Sequence, residues 1–428
     1  MKYRVWLTSL ILVSLTLTIP LVSVAKKKEL IVYLGVNHNY STYQEAAREF
    51  ERLYGYKVEI KPMTLPDMRP KLLADFTGGT PPDMFEGRPE WGMIFGGVGY
   101  LTDLTDKLAQ WPDFQDWFKP HREESVVGGK TYGVKEHATT TALFYNRTLF
   151  REAGLDPDNP PRTWKEWLEA AEALTKDVNG DGIPDQYGFG IPPLGESGSD
   201  VGLLAASGTA YFNKDGTLVD LVSPEAIEMG EFLQRMKEFT YVAEPAGHPH
   251  TTRKMFATER NLGTIITGTW EVKNYREFPD LDYTVSYIPV PEGKSWNSSL
   301  HGTNLMIPKG TGAVDDTFEL LKMITATEVQ VQTTLKYGMT FPRKSWAEDP
   351  AIKELPLIGK FGPIMQYATS RFHVQVAKLD APQALGRITK TMWEDLEEKL
   401  IWLEADPATA LLEFTQEANR LIKEERGW

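Results

Sequence analysis

Apolar and polar positions come in blocks along this chain, and the blocks have two periods. ELIVYLGV (29–36) is a near-continuous apolar run, the pattern of a strand buried on both faces. Apolar residues then recur at Tyr43, Ala46, Ala47, Phe50, Leu53 and Tyr54, the spacing of one helix face. Thr42 is placed to cap this helix, Glu45 three residues on completes a capping box, and Gly55 stops it. KVEI (57–60) alternates as a strand. MRPKLLADF reads as a second helix with Pro70 near its first turn, ended by TGGTPPD. Strand, helix, strand, helix at this spacing predicts an α/β fold with a mostly parallel, covered sheet.

Later helices carry clear start signals. TWKEWLEAAEALTK has Thr163 as cap and Glu166 at its third position. SPEAIEMGEFLQRMKEF starts on Ser223 then Pro224, and DPATALLEFTQEANRLIKEE on Asp406 then Pro407. Proline suits a first helical position because its missing N–H would be unpaired there anyway. Glycine and proline cluster at 187–199 and 289–297, which predicts long surface loops or segments crossing between parts of the molecule.

The first residues follow a different pattern. Lys2 and Arg4 precede the apolar run VWLTSLILVSLTLTIPLV, and Ser23 and Ala25 stand at the −3 and −1 positions of a cut after Ala25. Residues 1–25 therefore read as an export signal. The alternative is an uncleaved anchor, since the run is about long enough to span a bilayer, and KKK directly follows the cut. Either reading puts the bulk of the chain outside the cytoplasm, periplasmic or extracellular.

At 428 residues the chain has room for two domains or one large one. Its net charge is −13, and near −15 without Lys2 and Arg4, which argues against nucleic acid as a partner. The absence of cysteine excludes disulfides, a thiolate nucleophile and a lipid-modified N-terminal cysteine. Catalytic patterns are thin. GGKT (128–131) ends like a phosphate loop but lacks its leading glycine, and GVG (97–99) and GFG (188–190) lack the third glycine of a dinucleotide fingerprint. HPH (248–250) has two histidines and no evident third ligand, which reads as a polar turn.

Tryptophan stands out more. Eleven of the 12 follow residue 25. Trp164, Trp167, Trp393 and Trp402 lie on helix faces and read as core. Trp91 in PEWG, Trp270 in GTW and Trp296 in KSWN sit beside glycine or turn residues. A flat aromatic face among polar neighbours suits a sugar ring, which has an apolar C–H face and a rim of hydroxyls.

These residues also carry a resemblance. LIVYLGV…FERLYGYKVEI, GGTPPDMFEG, GYLTDL, KTYGV, ALFYNRTLFREAGLDP, PRTWKEWLEAAEALTKD, GTIITGTWEV, YIPVPEG and GTNLMIPKGT follow one another in an order that resembles extracellular solute-binding proteins of the maltodextrin-binding type, family 1 of the ABC importer receptors. The resemblance implies two α/β lobes with a ligand cleft between them and a hinge crossed by several segments. It implies a first lobe of residues 26–138 plus about 290–340, and a second of 139–289 plus about 341–428. Crossings are expected near Glu136–Thr141, Ile288–Val290 and Tyr337–Pro342. The implied function is capture of a sugar or oligosaccharide by lobe closure and delivery to permease subunits, by a monomer that is not an enzyme.

Family positions place ligand contacts at Asn37 and His38 after the first strand, Glu90 and Trp91 on the helix after PPD, His137 and Thr139 at the hinge, Trp270, and His301. Maltodextrin binders tend to carry a charged pair where this chain has Asn37 and His38, which argues against maltodextrin itself. Two competing readings are a secreted glycosidase or lyase, and a binder of another polar solute such as a polyol or glycerol phosphate ester, for which Arg88 would serve.

DVNGDGIPDQYG (177–188) has the spacing of a calcium loop. Asp177, Asn179, Asp181 and Asp185 fall at positions 1, 3, 5 and 9, the carbonyl of Ile183 at 7, and Gly182 at the turn. Position 12 is Gly188 rather than a bidentate Glu, and Gln186 is the candidate replacement. A structural Ca2+ is expected here. The alternative is a metal-free Asx turn.

Overall fold

The computed structural model describes residues 29–191, 199–213, 215–242, 251–369, 381, 384 and 387–428. The expected signal segment 1–25 and the HPH stretch 248–250 lie outside the described residues. The chain opens with β1 (Glu29–Gly35), α1 (Ser41–Tyr54), β2 (Lys57–Met63), α2 (Leu65–Gly78), β3 (Met84–Gly87) and α3 (Pro89–Gly97). A hairpin of β4 (Val126–Val127) and β5 (Lys130–Thr131) precedes the long β6 (Val134–Asn146). There follow β7 (Tyr187–Ile191), β8 (Thr240–Val242), β9 (Leu262–Gly268), β10 (Tyr283–Ser286), β11 (Ser298–Met306) and β12 (Ala368–Thr369).

Strands β2-β1-β3-β11-β6-β9-β7-β8 are hydrogen-bonded in that order, with β10 paired to β6 and β12 to β11. The outer strands are parallel: β1 with β2 and β3, and β7 with β8 and β9. Between them, β6 runs antiparallel to both β11 and β9. β1 is covered on both sides, as its apolar run requires. Leu30, Val32 and Leu34 pack with Tyr43 and Phe50 of α1, while Tyr33 faces the opposite core with Leu72 and Phe85.

β6 makes one sheet out of two. All 13 of its residues are buried. From Val134 to Thr140 it pairs with β11, and from Thr141 to Tyr145 with β9. Ile288 and Val290 lie in the core of the second half, with Phe232 and Ile266. The chain returns to β6 in β11, where Leu300 pairs with Thr140. In the Tyr337–Pro342 segment, Tyr337 packs on the first-half core and Phe341 on the second, and Thr340 exchanges hydrogen bonds with Ala138 of β6.

Helix starts follow the sequence at three places. Thr163 closes its capping box with Glu166, Ser223 accepts from the Ala226 N–H, and Asp406 from the Thr409 N–H. Two starts differ. α1 begins at Ser41 with no side-chain cap, because Thr42 is buried and its hydroxyl meets Thr333 at 2.6 Å. α2 begins at Leu65 under a Thr64 cap, which puts Pro70 inside the helix rather than near its first turn. The GGKT stretch is the β4–β5 turn, with Gly128 and Gly129 at φ 56° and 80°, as a two-residue hairpin turn demands.

Candidate functional site

A cavity of about 760 Å³ lies where the two halves of the sheet face each other, within the range of small-molecule sites. The turn after β1 contributes Asn37 and His38, and the start of α3 contributes Arg88 and Glu90. β6 supplies His137 and Thr139, and β11 His301 and Thr303. From the second half, the short helix Trp270–Tyr275 brings Trp270, Lys273 and Asn274. Seven of the eight residues expected at the ligand site therefore line one cavity: Asn37, His38, Glu90, His137, Thr139, Trp270 and His301.

Trp91 does not. It is buried to 5% exposure, against Phe95 at a ring distance of 6.3 Å, and joins the core formed by Tyr33, Phe85 and Met306. One residue is 100° of helix, so turning Glu90 into the cavity turns Trp91 into the core. Trp296 is also elsewhere, stacked on Tyr287 at 4.3 Å with 7° between rings.

Trp270 forms one wall. A Cβ on Gly268 would come within 2.0 Å of its indole, so the ring lies over bare backbone at the end of β9. His301 meets the ring edge-on at 6.2 Å and shares a 2.8 Å hydrogen bond with the Ser299 hydroxyl. Gly302 next to it sits at φ 116°, where a Cβ would strike the His137 carbonyl at 2.3 Å. This close approach presses β11 onto β6 at the register shift between Thr303 and Asn304.

Beneath the cavity lie two acids that sequence reading missed. His38 Nδ1–H donates to Glu86 Oε1 at 2.5 Å, and Gly35 N–H donates to Glu86 Oε2 at 2.7 Å. His137 Nδ1 lies 2.5 Å from Glu136 Oε2, which also accepts from the Thr303 hydroxyl at 2.9 Å, and Tyr43 O–H donates to Oε1. Burial works against the His38 charge, but the Glu86 carboxylate outweighs it and raises the imidazole to about 9. Burial likewise opposes the Glu136 charge, and His137, His38 and Tyr43 overcome it, holding the carboxyl at about 2. Glu90 is raised by burial, against the pull of Arg88. Behind this floor Lys135 and Glu124 form a fully buried pair at 2.5 Å. Burial pushes Glu124 up to about 7 despite Lys135.

The expected calcium loop is an exposed turn held by its own side chains. Asp177 accepts from the N–H groups of Gly180 at 2.6 Å and Gly182 at 2.8 Å. Asp185 accepts from Val178 and Asn179, Asn179 from Asp181, and Asp181 from Ile183. Gln186 is drawn away, its amide N–H bonded to the Leu174 carbonyl at 2.5 Å. The carboxylates keep further lone pairs, and Gly180 and Gly182, at φ 77° and 88°, give the bends such a loop uses.

Two halves of a sheet joined through shared strands, with a polar cavity and an aromatic wall between them, define a two-lobed cleft protein. Residues 35–331 match the bacterial extracellular solute-binding protein family, and the chain belongs to it. It is similar to the maltotriose-binding protein of Pyrococcus abyssi, 26% identical over 73% of this chain and 66% of that protein. It is also similar to the arabinooligosaccharide-binding protein of Bacillus subtilis, 25% identical over 53% of this chain and 52% of that one. The chain thus spans about half to two thirds of the length of these curated relatives. Among solved structures, the sugar-binding protein MalE of Xanthomonas citri superposes with a TM-score of 0.79 over 93% of this chain and 98% of that one, at 19% identity. A cyclo/maltodextrin-binding protein with maltotetraose gives 0.75 over 94% and 98%, at 20% identity. These share the two-lobed fold.

Proposed function

We propose that this protein is the extracytoplasmic receptor of an ABC importer and captures a sugar or oligosaccharide between its lobes without altering it. One observation carries this reading: the indole of Trp270 on the second lobe and the hydrogen-bonding groups of Asn37, His38 and Glu90 on the first line the same cavity. A pyranose presents an apolar face and a polar rim, and this cavity offers one wall for each. Relatives whose names record maltotriose and arabinooligosaccharide binding support the substrate class.

Closure of the lobes over the ligand is a hinge motion, stabilised by contacts to both sides. Export through the 1–25 segment, action as a monomer and hand-over to permease subunits belong to the same proposal. No helix among the described residues is long and apolar enough to cross a membrane. A structural Ca2+ in the 177–186 loop, held by Asp177, Asn179, Asp181, Asp185 and the Ile183 carbonyl, is proposed as a fastening of that loop and not as a catalytic ion.

A second reading, binding of a phosphate ester, is favoured by Arg88 and Lys273. Both line the cavity, and neither forms an ion pair among the described residues. A thermal-shift panel of mono- and oligosaccharides and glycerol phosphate, with mass spectrometry of the recovered solute, tests these readings together. A cognate sugar at a hundredfold over its Kd stabilises by about 2.7 kcal/mol and is recovered intact. Cleaved sugar would convert the protein into an enzyme, and a shift with glycerol phosphate alone would select the second reading.

A further inference from the structure

We infer that the floor of the cleft is a transition-metal site, formed by His38, Glu86, Glu136 and His137, that takes a divalent cation of the zinc type. One ligating atom from each of the four lies within 4.8 Å of all the others. They come from three separate segments, the turn after β1, β3 and β6, so the sheet itself assembles them. The imidazole rings of His38 and His137 are 4.2 Å apart between centroids. Both rings line the cavity, which gives an ion a way in.

The surroundings are those of a metal centre. Glu86 and Glu136 are fully buried and His137 nearly so. Two carboxylates side by side in a dry interior need two positive charges to be tolerated. One dication supplies them. A layer of donors aims the ligands: Gly35 N–H on Glu86, and Tyr43 O–H and the Thr303 hydroxyl on Glu136. Such outer contacts orient metal ligands and tune the ion they hold. Two nitrogens and two oxygens suit zinc or a neighbouring transition ion, whereas calcium and magnesium prefer oxygen alone. The alternative compensation, two imidazolium–carboxylate pairs, neutralises the same charge with no ion.

All four residues sit in the first lobe or on the shared strand β6. Metal binding therefore requires no lobe closure, and it is independent of whether the solute is a sugar.

The test uses the full mature chain, stripped with a chelator and dialysed, with zinc chloride as the only ligand. Calorimetry and elemental analysis are expected to give one zinc per chain and a rise in melting temperature, with calcium and magnesium unable to compete for it. His38→Gln and Glu86→Gln are each expected to weaken zinc binding at least tenfold, and circular dichroism verifies that both are folded. Small-angle scattering is expected to show the same radius of gyration with and without zinc. Failure of the wild type to retain stoichiometric zinc overturns the site and leaves two buried ion pairs. Equal zinc binding by wild type and both variants overturns it too, and assigns the ion to other histidines.

Discussion

The 177–186 loop and the floor of the cleft both concentrate acidic side chains, and they accommodate them in opposite ways. In the loop the carboxylates are exposed and turned onto backbone N–H groups a few residues away, as Asp177 is onto Gly180 and Gly182. In the floor they are buried and turned onto histidines: Glu86 meets His38 48 residues away in the chain, and Glu136 meets its own neighbour His137. Water screens the loop's charges, so each contact there is weak and replaceable. The buried carboxylates of the floor are screened far less, so each charge there depends more heavily on its partner. The same residue type is thus a local fastening in one place and a constraint on the entire sheet in the other.

The largest expected effect follows from that dependence. Glu136→Gln removes the buried carboxylate charge and leaves a single amide oxygen to accept where two oxygens served Tyr43, His137 and Thr303, and it is expected to cost about 3–5 kcal/mol in urea unfolding. Asp181→Ala in the loop is expected to stay within about 1 kcal/mol. Equal costs would erase the distinction between the two regions.

Glu124 sharpens it through pH. Its folded carboxyl titrates near 7 against an ordinary 4.5, so between those values the folded protein holds a proton that the unfolded chain has lost. Its contribution is full below about pH 4.5 and is lost as pH rises through 7, a fall of up to about 3 kcal/mol. The double variant Glu124→Gln, Lys135→Met removes both charges and is expected to lack this fall while matching or exceeding the wild type above pH 7. A parallel pH profile for the two proteins would show that the pair does not titrate in this range.

On the second lobe, Trp270→Ala removes the aromatic wall without touching a buried charge. Loss of a central aromatic contact costs about 2 kcal/mol or more, roughly thirtyfold in affinity for the cognate sugar, with the unliganded melting point nearly unchanged. Unaltered affinity in calorimetry would remove Trp270 from the site.

The smallest effect belongs to the loop ion. Calcium at about fivefold over its Kd is expected to add about 1 kcal/mol, seen as a lower melting temperature after chelation, abolished by Asp177→Ala, with sugar affinity unchanged. A chelated protein that melts at the original temperature would leave the loop as an Asx turn.

The two regions also differ in how far sequence reveals them. The loop could be read from spacing because its residues bond within one short segment. Trp164 and Trp167 were legible as core, since both fall on the inner face of a helix whose cap is written in Thr163 and Glu166. Asn37, His38, Glu90 and Trp270 were reached through family position, and the cavity gathers them. Trp91 shares Glu90's helix but not its face, and without the helix phase the two could not be separated. Glu86 gave no signal. It sits in the short strand MFEG, and only the register of β3 against β1 and β11 puts its carboxylate under His38. Glu136 looked like a hinge residue, and its role in the floor depends on strands brought together from far apart in the chain.

On the proposed closure, the handover of β6 from β11 to β9 between Thr140 and Thr141 would separate two stages of solute recognition in time. Glu136 and His137 lie on β6 just before this handover, with His38 in the turn after β1 and Glu86 on β3, both on its first side, so on that closure the floor would be in place whether the lobes are apart or together. Trp270 lies beyond the handover and, on the proposed closure, arrives only when the lobes come together. Changes to the floor should then act mainly on how fast an arriving solute is caught, and changes to the wall on how long it stays. Rates of association and release would thus be set by different faces of a single strand's neighbourhood, free to vary independently.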